Sequence, residues 1–360
     1  MTELQYFLGA NTPVGFYSLY HELSAPEHMT ALYILKGGAG CGKSTLMKRI
    51  ARHGAAAGLA MERILCSGDP HSLDAIVFPA LGAAVVDGTS PHVVEAAYAG
   101  VVERYVDLSR FYRSAALRPL REAVIATTHE YRGHYKRVYR CLDGAGQLLK
   151  DNRELVDTPN LRLKLEKRAK GIISREIKPA TEGTGRLSHR FITAVTHQGL
   201  VALWDTVTAQ ADRIYQLSDS YGLAHHLLSP ILNAALAAGQ DVVACLDPMA
   251  PDRLAHLILP ELSLAFITDC PQFPWPHRAY RRLRIDAMTD EELARTARPR
   301  LRFSRKVAAA LMEEAVAGLA LAKAAHDKLE ELYNPHVDFE GVCQTADELA
   351  EEILALPAGE

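Results

Sequence analysis

The apolar positions of this chain fall into short runs separated by polar, glycine-bearing turns, and the runs come in two matching sets. In the first set, residues 32–36 read as a buried strand, followed by a glycine-rich loop. Leu46-Met47 and Ile50-Ala51 come next, apolar pairs at helical spacing. Residues 63–66 give a second strand, and Ala83-Ala84-Val85-Val86-Asp87 a third that ends in an acid. Residues 213–217, 241–245 and 264–269 repeat this order. Strands alternating with helices predict a parallel α/β sheet in each set.

The two sets are copies. Phe7-Leu8-Gly9-Ala10-Asn11-Thr12-Pro13-Val14-Gly15-Phe16 returns as Phe191-Ile192-Thr193-Ala194-Val195-Thr196-His197-Gln198-Gly199-Leu200. Tyr33-Ile34-Leu35 returns as Tyr215-Gln216-Leu217, and the run LDAIVFP at 73–79 as LAHLILP at 254–260. All three matches lie about 180 positions apart and in the same order, as a duplicated domain requires. We therefore expect tandem domains over residues 1–180 and 186–360, with the polar stretch 178–186 (KPATEGTGR) as linker. Each copy then runs into a long helical segment. The first, about 97–178, is rich in Arg, Lys and Tyr; the second, 299–356, is rich in Ala, Leu and Glu.

Composition narrows the picture. A net charge of −3 argues against a globally basic nucleic-acid binder. The most apolar stretch, 307–321, is interrupted by Glu313 and Glu314, so no membrane span is expected. Met1-Thr2-Glu3 lacks the basic start of a signal peptide. The six cysteines form no C-x-x-C pair, which points away from a zinc site or a disulfide framework. The expectation is a reduced, cytoplasmic protein.

The chemistry concentrates in the first loop. Gly37-Gly38-Ala39-Gly40-Cys41-Gly42-Lys43-Ser44, followed by Thr45, matches the P-loop pattern G-x-x-x-x-G-K-[ST]. Glycines let consecutive backbone amides converge on phosphate oxygens, and the helix that follows points its positive end at the same anion. Lys43 would reach the β- and γ-phosphates of ATP, or of another nucleoside triphosphate, and Ser44 would ligate Mg²⁺. Asp87, ending its apolar strand, matches the Walker B acid and is the second metal candidate; a strand-ending Asp also caps turns. Asp69 and Asp74 are candidates for the metal, an acceptor substrate or an attacking water, with turn capping as the plain alternative. Gly88 follows Asp87 where many ATPases place a catalytic Glu. Asp69, Asp74 and His92 are the nearby replacements, and the gap favours slow hydrolysis or phosphoryl transfer over a fast motor.

The second copy departs from this pattern. Asp219-Ser220-Tyr221-Gly222-Leu223-Ala224-His225-His226 stands opposite residues 37–44, so Lys43 becomes His225 and Ser44 becomes His226. His225 and His226 read as a helix start rather than a metal pair, because adjacent helical residues point apart. Arg281, Arg282 and Arg284 offer a charge for a γ-phosphate, or simply a solvated cluster. In the basic segment, Arg132, Lys136, Arg137, Arg140, Lys164, Lys167, Arg168 and Lys170 alternate with Tyr131, Tyr135 and Tyr139. Nucleic acid binding there is the lesser reading and a solvated helix face the plainer one.

Phe7–Gly15, the P-loop, Cys66-Ser67-Gly68-Asp69-Pro70-His71-Ser72-Leu73-Asp74 and Asp87-Gly88-Thr89-Ser90-Pro91-His92 together resemble a family of uncharacterised bacterial tandem P-loop ATPases. Ala324–Glu330 and Val337–Glu340 are similar to that family's C-terminal helices. The resemblance implies a cytoplasmic nucleotide-binding protein of two P-loop NTPase-like domains; members often keep a P-loop in both halves, and this chain keeps one. The leading expectation is weak or regulated Mg²⁺-dependent ATPase activity. The alternatives are a nucleotide or small-molecule kinase with a phosphate acceptor, and a nucleotide-gated switch or scaffold with a protein partner.

Overall fold

The computed structural model describes residues 3–24, 29–178 and 184–357; most of the predicted linker, 179–183, lies outside them. The first sheet is built from β1 (Leu4–Tyr6), β4 (Ala31–Lys36), β5 (Glu62–Leu65), β6 (Leu73–Phe78), β7 (Ala83–Asp87) and β8 (Glu103–Asp107). A hairpin of β2 (Gly9–Thr12) and β3 (Gly15–Ser18) precedes β4, and α1 (Lys43–Ala56) follows it. After β8 come the short α2 (Ser114–Leu117), the 36-residue α3 (Arg121–Val156) and α4 (Pro159–Glu176).

The second half repeats the plan. β9 (Leu187–Arg190) is followed by the hairpin β10 (Thr193–Thr196) and β11 (Gly199–Ala202), then α5 (Trp204–Thr208), β12 (Arg213–Ser218) and α6 (His225–Ala237). β13 (Val242–Asp247), β14 (Ala250–Leu259), β15 (Leu264–Asp269) and β16 (Arg281–Arg284) complete the sheet. The 43-residue α7 (Glu291–Tyr333) and α8 (Phe339–Leu354) close the chain. The strand orders, β1-β5-β6-β7-β4-β8 and β9-β13-β14-β15-β12-β16, are the same order in repeat equivalents.

Both sheets are mixed, which corrects the expectation of parallel ones. β6 runs antiparallel to β5 and β7, as β14 does to β13 and β15, while the other neighbours are parallel. The cause is connection length. Residues 66–72 are too few for the crossover a parallel return needs, so the chain turns straight back beside β5. The stretch read as helical from 97 also opens with a strand, β8, and β16 is its counterpart. Both are polar edge strands; in Arg281–Arg284 only Leu283 is buried, so an apolar pattern does not reveal them.

The halves meet at residues that are equivalent in the repeat. Phe7 and Phe191, equivalent in the repeat and both fully buried, exchange backbone hydrogen bonds of 2.9 Å in each direction. The turns beside them are alike as well. Gly15 (φ 102°) and Gly199 (φ 109°) close the two hairpins, with the Thr12 and Thr196 hydroxyls donating to their carbonyls. Such φ values favour glycine.

The long helices then cross between the halves. α3 and α7 pack antiparallel, since Glu130, Arg137 and Asp151 pair with Lys328, Glu314 and Arg300 in descending order. Val138, Leu142, Ala145, Ala308, Met312, Ala315 and Leu319 form the core of this seam at three- and four-residue steps. Gly318 admits the Val138 side chain, which a Cβ there would meet at 2.7 Å. α4 packs on α6 of the second half, and α8 on α1 of the first. Among the described residues no helix is long and apolar enough to cross a membrane, and all six cysteines are free thiols.

Candidate functional site

The loop of residues 37–42 leaves the C-terminal end of β4, a central strand, and turns into α1. β7 lies directly beside β4 in parallel register, with Leu35 opposite Asp87, so the acid ends next to the loop. Gly40 and Gly42 take left-handed φ values of 69° and 86°, and no side chain caps the first turn of α1. The helix therefore presents its first amides to the loop's concave side, an arrangement suited to an anion.

Lys43 folds back over the loop. Its ammonium donates to Gly37 O (2.8 Å) and Gly38 O (2.9 Å) and sits 3.6 Å from Asp87 Oδ2. Asp87 Oδ1 accepts from Thr89 N (2.9 Å) and Thr89 Oγ1 (2.6 Å), which fixes the carboxylate against the end of its strand. Ser44 Oγ accepts from Leu73 N (3.0 Å) and so ties α1 to β6. Cys41 is buried, its thiol raised by burial, and Gly37 has no room for a Cβ beside it. Thr45 lies on the exposed side of α1. The structure thus brings Lys43 to Asp87, while Ser44, the next residue, is tied to β6.

The other two acids are placed differently. Asp74, the second residue of β6, is buried and accepts from Tyr20 Oη (2.8 Å), with His92 Nε2 at 3.5 Å. Burial raises its carboxyl, and the nearby Asp87 charge adds to this, against the opposing pull of His92. His92 is buried between the Phe16 and Tyr20 rings. Asp69 closes the turn after β5, accepting from His71 N (3.1 Å) and Ser72 Oγ (3.3 Å), as a capping residue does.

Sequence reasoning missed that the second half builds the rim of this site. α7 crosses the loop, where a Cβ on Gly40 would meet the Asn334 side chain at 2.8 Å, Tyr333 Cβ at 3.1 Å and Glu330 Cα at 3.4 Å. The Asn334 amide, in the orientation its neighbours require, donates to Gly40 O (3.1 Å). Tyr112 Oη donates to Ala39 O (2.7 Å) and its ring lies 5.3 Å from that of Tyr333. Two turns back along α7, Lys323 stands 3.5 Å from Asp69 Oδ2. His197, from the second hairpin, contacts Gly68 O at 2.9 Å. No local signal marks these residues, because each arrives from more than 70 positions away.

The tyrosines of the basic segment face inward instead of toward a strand of nucleic acid. Tyr131 packs on His326, Tyr135 lies over Gly68, and Tyr139 Oη donates to Asn11 Oδ1 at 3.3 Å. Arg281 and Arg282 line a cleft with Arg168 and Arg175, a lining that includes no residue of the 37–45 loop.

In the second half, the equivalent loop is filled by its own side chain. Asp219, at the position of Gly37, is buried and accepts from Tyr221 N (3.0 Å) and Ala224 N (2.6 Å). A carboxylate thus occupies the amides that face the open loop in the first half. Burial pushes this carboxyl up to about 6. His225 accepts from Leu254 N (3.1 Å) through Nδ1, the part Ser44 plays for Leu73, and burial lowers its pKa to about 4. His226 turns away to Asp157 (2.9 Å). Comparison of the chain with protein-family models, with curated proteins and with solved structures gives no match in any of the three.

Proposed function

We propose that the chain is a P-loop nucleotide-binding protein that holds one ATP with Mg²⁺ at residues 37–45 and hydrolyses it slowly. The observation that carries this reading is the contact of Lys43 with Asp87 at an uncapped helix start, with Ser44 in the same first turn. The residues fit a phosphate chain. Loop amides and the α1 terminus supply fixed positive ends, and the Lys43 ammonium would exchange its two loop carbonyls and the Asp87 contact for an anion. Ser44 and Asp87 fit Mg²⁺, which would neutralise charge on the phosphate oxygens when bound. Asp87 is already oriented by Thr89, and a hydroxyl with a carboxylate suits a hard cation that keeps several waters.

Slow turnover follows from what surrounds the loop. Gly88 offers no base after Asp87, Asp69 is engaged by Lys323, and Asp74 is buried against Tyr20. The same engagement of both carboxylates supports hydrolysis over transfer to an acceptor hydroxyl. A nucleotide-gated switch is the second reading, favoured by the contact of Tyr333 and Asn334 with Gly40, which would transmit loop movement into α7. Calorimetric titration with ATP and Mg²⁺ tests the proposal. Lys43→Ala is expected to weaken binding by at least about tenfold, and an unchanged affinity would sink it.

A further inference from the structure

Away from the loop, the charges of α4 follow one face. Lys164, Lys167, Arg168 and Arg175 occupy steps of three, four and seven residues, and Gly171 lies among them. This face borders a cleft against β16. One cavity of about 260 Å³ is lined by Arg168, Arg175, Arg281 and Arg282, with Ile172, Tyr215 and Leu283 as its floor. A second, of about 460 Å³, continues past Gly171 to Lys164, Lys167 and Met288, sharing Arg168 and Arg175 with the first. The two form one groove, about 16 Å long between Lys164 and Arg175 at helical rise.

Six cations line this groove in a chain whose net charge is −3. Arg175 is paired with Glu176, but Lys164, Lys167, Arg168, Arg281 and Arg282 have no carboxylate within 4.0 Å among the described residues. These five side chains are exposed, so their unpaired charge is open to an anion from outside the chain. Gly171 points the same way. A Cβ there would meet nothing within 4 Å, so no packing accounts for a mid-helix glycine that costs about 1 kcal/mol relative to alanine. It leaves the groove open at its middle.

The shape and the aromatic beside it select the kind of anion. A concave groove suits a chain rather than a bilayer surface. Tyr280, 45% exposed at the start of β16, carries the Arg281 guanidinium at 5.1 Å from its ring and packs edge-on against Tyr215. An exposed ring flanked by arginine is a stacking platform for a base, and successive cations track phosphates. At about 3.4 Å per stacked nucleotide the groove accommodates about five. We propose that the α4–β16 groove binds the phosphodiester backbone of single-stranded nucleic acid, with Tyr280 stacking a base at one end.

Fluorescence anisotropy of the full chain with a labelled single-stranded RNA of about 12 nucleotides tests this. The expected result is binding at roughly 50 mM salt that weakens linearly in log–log form as salt rises. The double variant R168E/R281E should lose at least about tenfold in affinity and flatten the salt slope, while K136E/R140E on the outer face of α3 should not. Y280A should weaken RNA binding severalfold and leave inorganic polyphosphate binding unchanged. Should charge reversal unfold the chain by circular dichroism, R168Q/R281Q replaces it with the same expected direction. No RNA binding would overturn the proposal, as would equal losses from the groove and α3 variants. So would polyphosphate binding as tight as RNA with Y280A silent on both, or binding only to phosphatidylserine–phosphatidylcholine vesicles.

Discussion

Lys323 and Asp69 meet at 3.5 Å across the two halves, joining the helix that follows the second sheet to the turn that follows β5 in the first. Lys323 also pairs with Asp327 on its own helix, so its ammonium is held between two carboxylates. Hydrogen bonding from His71 N and the Lys323 charge outweigh desolvation and lower the Asp69 carboxyl. Lys323 is thus a cation of the second half held against the turn that carries Asp69, whereas Arg281 and Arg282 line a separate cleft. Lys323→Met is expected to leave ATP affinity within about threefold while turnover falls roughly tenfold, since a fixed cation stabilises charge developing at the γ-phosphate. Steady-state kinetics separate the two quantities. Unchanged turnover with intact binding would reduce the contact to a tether.

Asp347 joins α8 to α1 through a two-point contact with Arg49 (2.5 and 2.8 Å), and His53 Nε2 adds a third at 2.9 Å. Arg49, and then His53, hold the Asp347 carboxyl down at about 2. A depressed acid stabilises the fold above its unfolded pKa of about 3.9 and loses that effect as pH falls toward 2. All three side chains are about a third or more exposed, so the contribution is small. Asp347→Asn is expected to lower the melting temperature by about 1–2 °C at pH 7, by about half of that near pH 3 and by nothing measurable below about pH 2. Calorimetric melts across that range check it; a difference independent of pH would refute it.

How far the sequence reaches is clearest at these two contacts. The duplication, β4, β7, α1 and the juxtaposition of Lys43 with Asp87 were legible, because each rests on local apolar period or on loop chemistry. The run at 73–79 was visible as a repeat match and not as a strand, because β6 and its antiparallel direction depend on the short turn at 66–72. β8 and β16 were hidden because edge strands need bury only one or two side chains. The rim was not legible at all. Asn334, Tyr333 and Lys323 reach the loop only because α7 packs against α3 along a seam whose partner no local pattern names.

Asp219 carries a second pH dependence, of opposite sign. Burial raises its carboxyl to about 6, above its unfolded value, so its favourable contribution is present at low pH and is lost as pH rises through 6. Asp219→Asn fixes a neutral side chain and keeps one acceptor for the loop amides. Losing the second acceptor costs about 1 kcal/mol at every pH, so the slope is the diagnostic and the offset is not. The melting temperature of the variant relative to wild type is expected to rise between pH 5 and 7.5. A flat difference would mean that Tyr221 N and Ala224 N keep the carboxylate ionised despite its burial.

The reciprocal packing of α4 on α6 and α8 on α1 predicts that the halves do not fold apart. Residues 1–178 alone would keep the first sheet but leave α1 without α8, and α4 without α6. Each helix has a buried apolar face, with Leu161, Leu165, Ala169 and Ile172 on α4 and Leu46, Met47 and Ile50 on α1, and each would lose one of the helices it packs on. The bridge at Phe7 would lose Phe191, and both residues are fully buried in the intact chain. At about 1.5–3 kcal/mol for each large apolar side chain exposed, the loss matches or exceeds the stability of a typical domain. Size-exclusion chromatography of 1–178 is expected to show aggregate or a self-associated form. Co-expression with 184–360 should restore a species of full-chain size with one cooperative melt. Phe191→Ala in the intact chain should lower stability by about 3–5 kcal/mol in that single transition. Two separate transitions, or a well-folded monomer of 1–178, would show that the exchanged helices merely decorate independent domains.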